Sequence, residues 1–511
     1  MADVLLTHSY HLAYDRKQVV KQQPYPPLGT LYAASVLREN GISVAVFDTM
    51  LNDPANGFRK ALLVTQPKIV AIYEDDFNFL TKMCLTRMRE VAWHMIEQAR
   101  DSGACVVVHG SDATDHVPEY LAHGCDFVIV GAAEETLLEF VHAMSRNLNP
   151  SKIPGVASVH TISASQRLQK SAPHTTTNLA GLPLPARDLI DMEQYREAWL
   201  LAHNKFSLNM VASRGCPFRC NWCAKPIFGD SFYVRPAGDV AREMQVLKEE
   251  YHADHIWFAD DIFGLNRHWM QEFASEVQRL NCSVPFKIQA RADLLTREVV
   301  GALRRAGCCE VWMGVESGSQ KVLDAMDKGL SVEEVVSARH HLKQEGISAC
   351  YFLQLGYPGE SWVDIRKTID LVRETRPDDI GVSFSYPLPN TKFYELVKQQ
   401  LGSKRNWSDS DDLCVMFKGT YTDKFYRLIR DALHAEVDSW KKTNLSAQAS
   451  TAANTRKHLS ELWQRIERAE PLSRNPNPTE LWTNSGIPDC EHGSSENFVS
   501  IQGLFPTPGE A

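Results

Sequence analysis

No apolar run in the 511 residues reaches the roughly 18 to 20 needed for a helix to cross a bilayer, which excludes a helical membrane span. The opening stretch, MADVLLTHSYHLAYD, lacks a basic leader and holds only a short apolar run. It therefore reads as a first β-strand rather than a signal peptide, and a cytoplasmic location is the default expectation. Basic charge is also scarce: 54 Lys and Arg stand against 63 Asp and Glu, for a formal net charge of −9. Phosphate binding normally leaves the opposite footprint, so no nucleic-acid partner is expected. Cysteine is too thin for a disulfide scaffold, with 12 in the chain and most of them scattered. Cys105, Cys125 and Cys350 lie inside apolar, strand-like runs, where buried thiols are ordinary. There is no internal repeat.

What is present is organised into two alternating series, and a chain of this length is expected to hold two or three domains. Short apolar runs at 4–8, 43–48, 68–73, 105–109 and 126–130 alternate with helix-like segments. The helix pattern at 28–40 stops at Gly41, as a glycine just past a helix end would stop it. Near-continuous apolar strands separated by helices imply a parallel sheet covered on both faces. Residues 1–147 thus read as a five-stranded, doubly wound, Rossmann-like α/β domain with its ligand at the carboxyl ends of the strands. Residues 148–205 read as an ordered linker with a Pro-rich piece, GLPLPARDLID. A second series, 206–400, has six β/α units and suggests a partial (β/α)6 barrel with its chemistry on the loops after the strands. Two amphipathic patterns inside 401–470 suggest a small helical C-terminal domain, and the Pro-, Asn-, Ser- and Gly-rich tail from 471 to 511 reads as disordered.

One cluster departs from the cysteine background. The loop after the first strand of the second series reads RGCPFRCNWCA, with Cys216, Cys220 and Cys223 within eight residues. A structural zinc site wants four ligands, usually as two separated pairs, and no second pair exists here. A redox dithiol would use Cys220 and Cys223 and leave Cys216 unexplained. A [4Fe–4S] cluster takes thiolates, and three of them would leave one iron open for a substrate or cofactor. Only that third reading makes the missing ligand useful.

These residues resemble a known family. CPFRCNWC is the CxxxCxxC pattern, with an aromatic before its last cysteine, that typifies radical S-adenosylmethionine (SAM) enzymes. The wider ASRGCPFRCNWCAKP is similar to their cobalamin-linked branch, in which a cobalamin-binding Rossmann-like domain precedes the barrel. The resemblance spans roughly residues 3–400 and implies roles for individual positions. Cys216, Cys220 and Cys223 would ligate three irons, SAM would chelate the fourth, and Trp222 would lie near its adenine. In FADDIF, Asp260 and Asp261 would face the methionine moiety of SAM, and in IQARADLL, Arg291 would meet its carboxylate. In GVESGSQ, Glu316 and Ser317 would contact the ribose, and Gln354 opens a later SAM-side segment, QLGYPGE. Each has an ordinary alternative: Asp261 as a helix cap, Arg291 paired with Asp293 at the surface, Glu316 paired with a barrel lysine.

For the first domain the family's cobalt-ligating DxHxxG loop is absent, so cobalamin bound without a histidine lower ligand is what the resemblance implies. His8 and His11 read as solvent-facing loop residues. Gly29 in the first helix, Gly110 and Ser111 in VVVHGSDAT, and Gly131 in IVGAAEETLLEF match cobalamin-side segments, although Ala132 and Ala133 depart from the family's GEGE. The acidic YEDDFN either places Glu74 to Asp76 at the lower face of the cobalt or forms a solvated loop.

The resemblance implies a [4Fe–4S] cluster, SAM and cobalamin as cofactors, a small-molecule substrate, and a reductant such as flavodoxin or ferredoxin. Reductive cleavage of SAM would release a 5′-deoxyadenosyl radical able to remove hydrogen from an unactivated carbon, chemistry that belongs to the cofactor and not to a side chain. A methyltransferase moving the methyl of methylcobalamin to that carbon is the leading expectation. A cyclase of the bacteriochlorophyll ring-forming type and a non-catalytic metal or cobalamin sensor are the alternatives. No catalytic residue beyond the cofactor contacts is readable.

Overall fold

The computed structural model describes residues 2–83, 85–159, 179–404, 406–445 and 449–479. Five short apolar segments, β1 (Val4–Thr7), β2 (Val44–Phe47), β3 (Ile69–Tyr73), β4 (Cys105–His109) and β5 (Phe127–Ile129), pair in parallel in the order β2-β1-β3-β4-β5. Their side chains alternate between two buried layers. Leu5, Val70, Ile72, Val106 and Val108 pack against Phe58, Met95 and Ile96. Val4, Leu6, Ala71 and Val107 pack against Leu37, Leu137 and Phe140. Covering both faces with helices is why these strands carry apolar residues at nearly every position, Thr7 and His109 at the carboxyl ends of β1 and β4 excepted. The helix Leu28–Glu39 ends as expected, with Gly41 at φ +77°.

Two features differ from the expectation. A sixth strand, β6 (Val156–Ala157), pairs antiparallel with β5 and comes from the segment read as linker; two residues are too few to show a period. The same segment contains the helix Met192–His203, whose Tyr195 hydroxyl donates to Asp48 (2.6 Å) and whose Trp199 indole donates to the Pro24 carbonyl (2.6 Å). This connector is therefore packed structure that ties the two sheets together. Its stretch 160–178 lies outside the described residues.

The second sheet is wholly parallel in the order β14-β13-β12-β11-β10-β7, from β7 (Ser207–Met210), β10 (His255–Phe258), β11 (Phe286–Ala290), β12 (Cys308–Glu316), β13 (Ser348–Leu355) and β14 (Asp379–Phe384). Among the described residues β14 and β7 do not pair with each other, so the barrel is open. Between β7 and β10, β8 (Ser213–Arg214) and β9 (Tyr233–Val234) form a short antiparallel ladder that clips together the two ends of the cysteine loop.

The helices Asp423–Leu445 and Ala449–Ala469 do not build a separate core. Phe425, Tyr426, Ile429, Leu433 and Val437 bury in the same cluster as barrel residues Leu353, Leu355, Ile365 and Phe384. Amphipathic periodicity identifies the helices and is silent about what their apolar faces meet. Residues 471–479, read as the start of a disordered tail, are held by Ser473 and Asn475 to Thr422 and Thr420 and by Thr479 to Lys418; residues 480–511 lie outside the described residues. No described helix is long and apolar enough to cross a membrane.

Candidate functional site

The cysteine loop leaves β8 through Gly215 at φ +77°, where a Cβ would collide with the Ser231 carbonyl oxygen. Glycine alone suits this exit. Cys216, Cys220 and Cys223 follow as half-buried thiols that form no disulfide. The loop is pinned from two sides. Lys225 Nζ donates to the carbonyls of Cys216 (2.9 Å) and Phe218 (2.5 Å). Asn221, between the last two cysteines, donates its backbone N–H to Met326 O (3.0 Å) and its amide to Ala325 O (2.7 Å). It accepts from the Tyr357 hydroxyl (3.0 Å) and, through its carbonyl, from Phe393 N (3.0 Å). Nothing local in CNWC signals these partners of Asn221, which lie more than a hundred residues away.

Around the loop the carboxyl ends of the barrel strands bring several expected residues together. Glu316 ends β12 at φ +62°, after a register shift beyond Gly314, a conformation rarely adopted by a residue with a side chain. Its carboxylate holds Lys328 Nζ at 2.8 Å, both side chains nearly fully buried. A Cβ on Gly314 would stand 2.8 Å from that ammonium and 2.9 Å from Glu316 Oε1, so the glycine makes room for the pair. Burial opposes the charge on Lys328, but Glu316 and then Cys220 hold its pKa above the ordinary lysine value. Asp261 sits half-exposed near Cys216, whose thiol is pushed up mainly by burial and further by this carboxylate. No helix starts there for it to cap. Gln354, buried at the end of β13, has its Oε1 without a partner, and the Trp222 indole N–H is also buried and unpartnered, its ring edge-on to Tyr386 at 6.2 Å.

Three expected residues have other work. Asp260 is buried, and its carboxylate accepts from Ala212 N (3.1 Å) and Ser213 Oγ (2.5 Å); it anchors the strand entering the cysteine loop, with its pKa raised to about 7 by burial. Arg291 is buried rather than superficial. It pairs with Asp293 (3.0 Å), donates to the carbonyls of Lys328 (2.7 Å) and Gly329 (2.8 Å), stacks over Phe218 (3.8 Å) and lies 4.0 Å from the Cys220 sulfur. Its donors are spent on the protein and on that thiol, not left free for a carboxylate. Ser317 is fully buried, bonded to Thr368 (3.1 Å) and accepting from Ser319 N (3.1 Å), which fixes the turn after β12.

At the carboxyl ends of the first sheet, Glu74, Asp75 and Asp76 are buried, which replaces the solvated-loop reading. Glu74 accepts from Ser9 N (3.0 Å), lies across Gly110, where a Cβ would stand 2.7 Å from its side chain, and keeps Oε2 unpartnered. Burial raises its pKa. Gly29 donates its N–H to Asp75 (2.9 Å) and has no room for a side chain against Asp76 N. Ser111 Oγ is buried without a partner, and Gly131, at φ +78°, donates weakly to Thr114 (3.5 Å). His8 and His11 are buried too, against expectation. His8 pairs with Asp48 (2.9 Å), whereas burial drives His11 down to about 4, neutral, with Nδ1 unpartnered. Buried polar atoms without partners are costly and rare. Three of them, Glu74 Oε2, Ser111 Oγ and His11 Nδ1, lie just after β3, β4 and β1, and a ligand rimmed with hydrogen-bonding groups, such as the amide-fringed corrin of cobalamin, suits such atoms.

The two regions face each other. Arg214, immediately before Gly215, reaches the first domain and stands 2.7 Å from Glu134 Oε1 at the start of the helix Glu134–Ser145. The contact is one of charge, off the line of a hydrogen bond, since Arg214 Nη2 has no hydrogen-bond acceptor. Its guanidinium lies 5.4 Å from the ring centre of Tyr32, 5.6 Å from Phe77 and 5.5 Å from Phe228. Phe77, following the acidic loop, stacks on Phe228 of the cysteine loop at 5.9 Å. Among the described residues no three His, Cys, Asp or Glu side chains gather as they would around a single metal ion, so the three thiols do not form a ready mononuclear site. Separate half-exposed thiols on one clamped loop do fit a cluster that takes one thiolate per iron.

Residues 210–372 match the model of the radical SAM superfamily. Along 416 residues the chain is 25% identical to an uncharacterized methyltransferase, PH0819, of Pyrococcus horikoshii, covering 80% of this chain and 86% of that one. In fold it is similar to the cobalamin-dependent SAM radical enzyme OxsB with aqua-cobalamin bound (TM-score 0.67, 16% identity, 92% of this chain and 72% of that one). It is likewise similar to the radical SAM methyltransferase TsrM of Kitasatospora setae with cobalamin and a [4Fe–4S] cluster bound (TM-score 0.64, 17% identity, 79% of each chain).

Proposed function

We propose that this chain, whose residues 210–372 match the radical SAM superfamily and whose two-sheet fold is similar to that of cobalamin-dependent members, is a cobalamin-dependent radical SAM methyltransferase acting on a small molecule. The single observation that carries the reading is the facing of two loops. Three half-buried thiols on a clamped loop look across Arg214–Glu134 and Phe77–Phe228 at a sheet end lined with unpartnered polar atoms. When bound, the cluster, SAM and cobalamin supply one-electron SAM cleavage and methyl transfer to an unactivated carbon.

The chain's own residues bind, orient and insulate. Cys216, Cys220 and Cys223 hold the irons, and Asn221 and Lys225 hold the loop that carries them. Trp222 Nε1 and Gln354 Oε1 offer a donor and an acceptor at the mouth for SAM, with Asp261 near Cys216 and the strained Glu316 paired with Lys328. On the first domain, Glu74, Ser111 and His11 offer unpartnered atoms to cobalamin, while Gly29 and Gly110 let the acidic segment Glu74 to Asp76 pack close against them. A reductant of flavodoxin or ferredoxin type would deliver the electron. Anaerobically reconstituted protein is expected to convert SAM to methionine and 5′-deoxyadenosine, and Cys220→Ala is expected to abolish this; cleavage retained by that variant contradicts the assignment. With a substrate in hand, a product heavier by one CH2 supports methylation, and a dehydrogenated, ring-closed product points to the cyclase alternative.

A further inference from the structure

The inner face of the open barrel is not a packed core. Along β11, Phe286, Ile288 and Ala290 are buried under the helices while Lys287 and Gln289 are half-exposed. Along β12 the same alternation buries Val311, Met313 and Val315 and leaves Trp312 and Gly314 half-exposed. Trp257 on β10 and Phe352 on β13 show the same partial exposure. A parallel sheet covered on both sides would bury both sets, so the inward set lines a lumen open to water.

That lumen has a definite chemistry. Trp312 and Phe352 stack at 4.8 Å and 29°, and Gly381 opposite them carries no side chain to fill the space, a Cβ there meeting both rings at 3.4 Å. Tyr25, from the loop of the first domain, closes the floor beside Trp257 (4.8 Å) and is fixed by its hydroxyl to Ser207 (3.0 Å). Lys287 Nζ lies 5.9 Å from the Tyr25 ring centre and 5.6 Å from that of Trp257. Among the described residues no carboxylate lies within 4 Å of this ammonium, although burial pulls its pKa below the ordinary lysine value. Glu310, its partner in the β11–β12 register, spends Oε1 on the Trp312 indole (2.7 Å). A half-buried cation with no carboxylate within 4 Å, set among flat apolar faces, is the complement of an anion carried on an aromatic body. Lys287 lies four residues before Arg291, the neighbour of Cys220, and at strand rise that is about 13 Å.

We propose that the barrel lumen binds an elongated aromatic acid, with its carboxylate on Lys287 at the floor, its flat body against Trp257, Trp312 and Phe352, and its reacting carbon about 13 Å away at the cysteine loop. This deepens the reading above and rests on it for the position of the chemistry. The probes are 4-(1-pyrenyl)butyrate and its neutral counterpart 4-(1-pyrenyl)butanol, titrated by fluorescence into the reconstituted full-length protein. The acid is expected to bind about tenfold or more tightly than the alcohol. Lys287→Met should erase that preference while the alcohol still binds, which shows the variant folded; Lys287→Arg should restore it, and Trp312→Ala should weaken both probes. Equal binding of acid and alcohol, no binding of either, or a preference that survives Lys287→Met overturns the proposal. Binding needs no turnover, so failure here is distinct from failure of the methyltransferase reading, which shows in the iron, cobalt and SAM-cleavage assays of the same sample.

Discussion

Glu360 illustrates how burial sets the behaviour of single groups near the barrel mouth. One oxygen accepts from Gly356 N at 2.6 Å and the other is buried without a partner. Burial raises its pKa from 4.5 to about 8, with Asp364 adding to the rise and Lys321 opposing it. The folded state therefore holds this proton more tightly than the unfolded chain does. The associated stability is complete below the unfolded value and is lost as pH rises through about 8. Asp260, raised to about 7, and Asp75, raised to about 6, act with the same sign. Glu360→Gln keeps an oxygen for Gly356 N and removes the titration, so its unfolding midpoint should fall less between pH 5 and 9 than that of the parent. The difference at the alkaline end should be on the order of 3 kcal/mol; identical pH profiles in thermal melts would show that Glu360 carries no such proton. The sequence marks this residue as part of QLGYPGE without showing its burial, because the lid over it comes from distant residues such as Tyr426.

At the scale of elements, the strands of the first sheet were legible because two covered faces demand mostly apolar residues, and the cysteine loop because its spacing is local. What was not legible depends on the third dimension. The end of β12 is the clearest case. GVES reads as the end of a strand, whereas Gly314 lends its missing side chain to the Lys328–Glu316 pair and Glu316 takes a left-handed backbone. Lys328 is twelve residues away from Glu316 in sequence. Gly314→Ala must displace the ends of the Lys328 and Glu316 side chains inside the protein, an overpacking that costs about 1–3 kcal/mol. The expected outcome is a clear drop in the denaturation midpoint together with poorer retention of iron, since Lys328 also neighbours Cys220. A variant with unchanged stability and unchanged iron would mean that the end of β12 is free to move and does not support the loop.

For the whole molecule, the joining of the two sheets matters more than either alone. Arg214 of RGCPFRCNWC carries the cluster loop to Glu134, in a segment whose departures at Ala132 and Ala133 weakened its resemblance to the family. The glutamate was present in the sequence, but nothing local tied it to an arginine eighty residues later. Glu134→Gln and Arg214→Met should each destabilise the protein by about 3–5 kcal/mol, because each strands a buried charge. The double variant should cost less than the sum of the two in chemical denaturation, and strict additivity would show that the pair is not coupled. The central claim is that one chain holds an iron–sulfur cluster and cobalamin facing each other across that contact. The most direct test is elemental analysis of anaerobically purified and reconstituted protein beside its absorption spectrum. About four irons and one cobalt per chain are expected, with cluster and corrinoid bands together, and iron lost without loss of cobalt in the variant lacking all three loop cysteines. Zinc in place of iron, or iron with no cobalt under cobalamin excess, would contradict it.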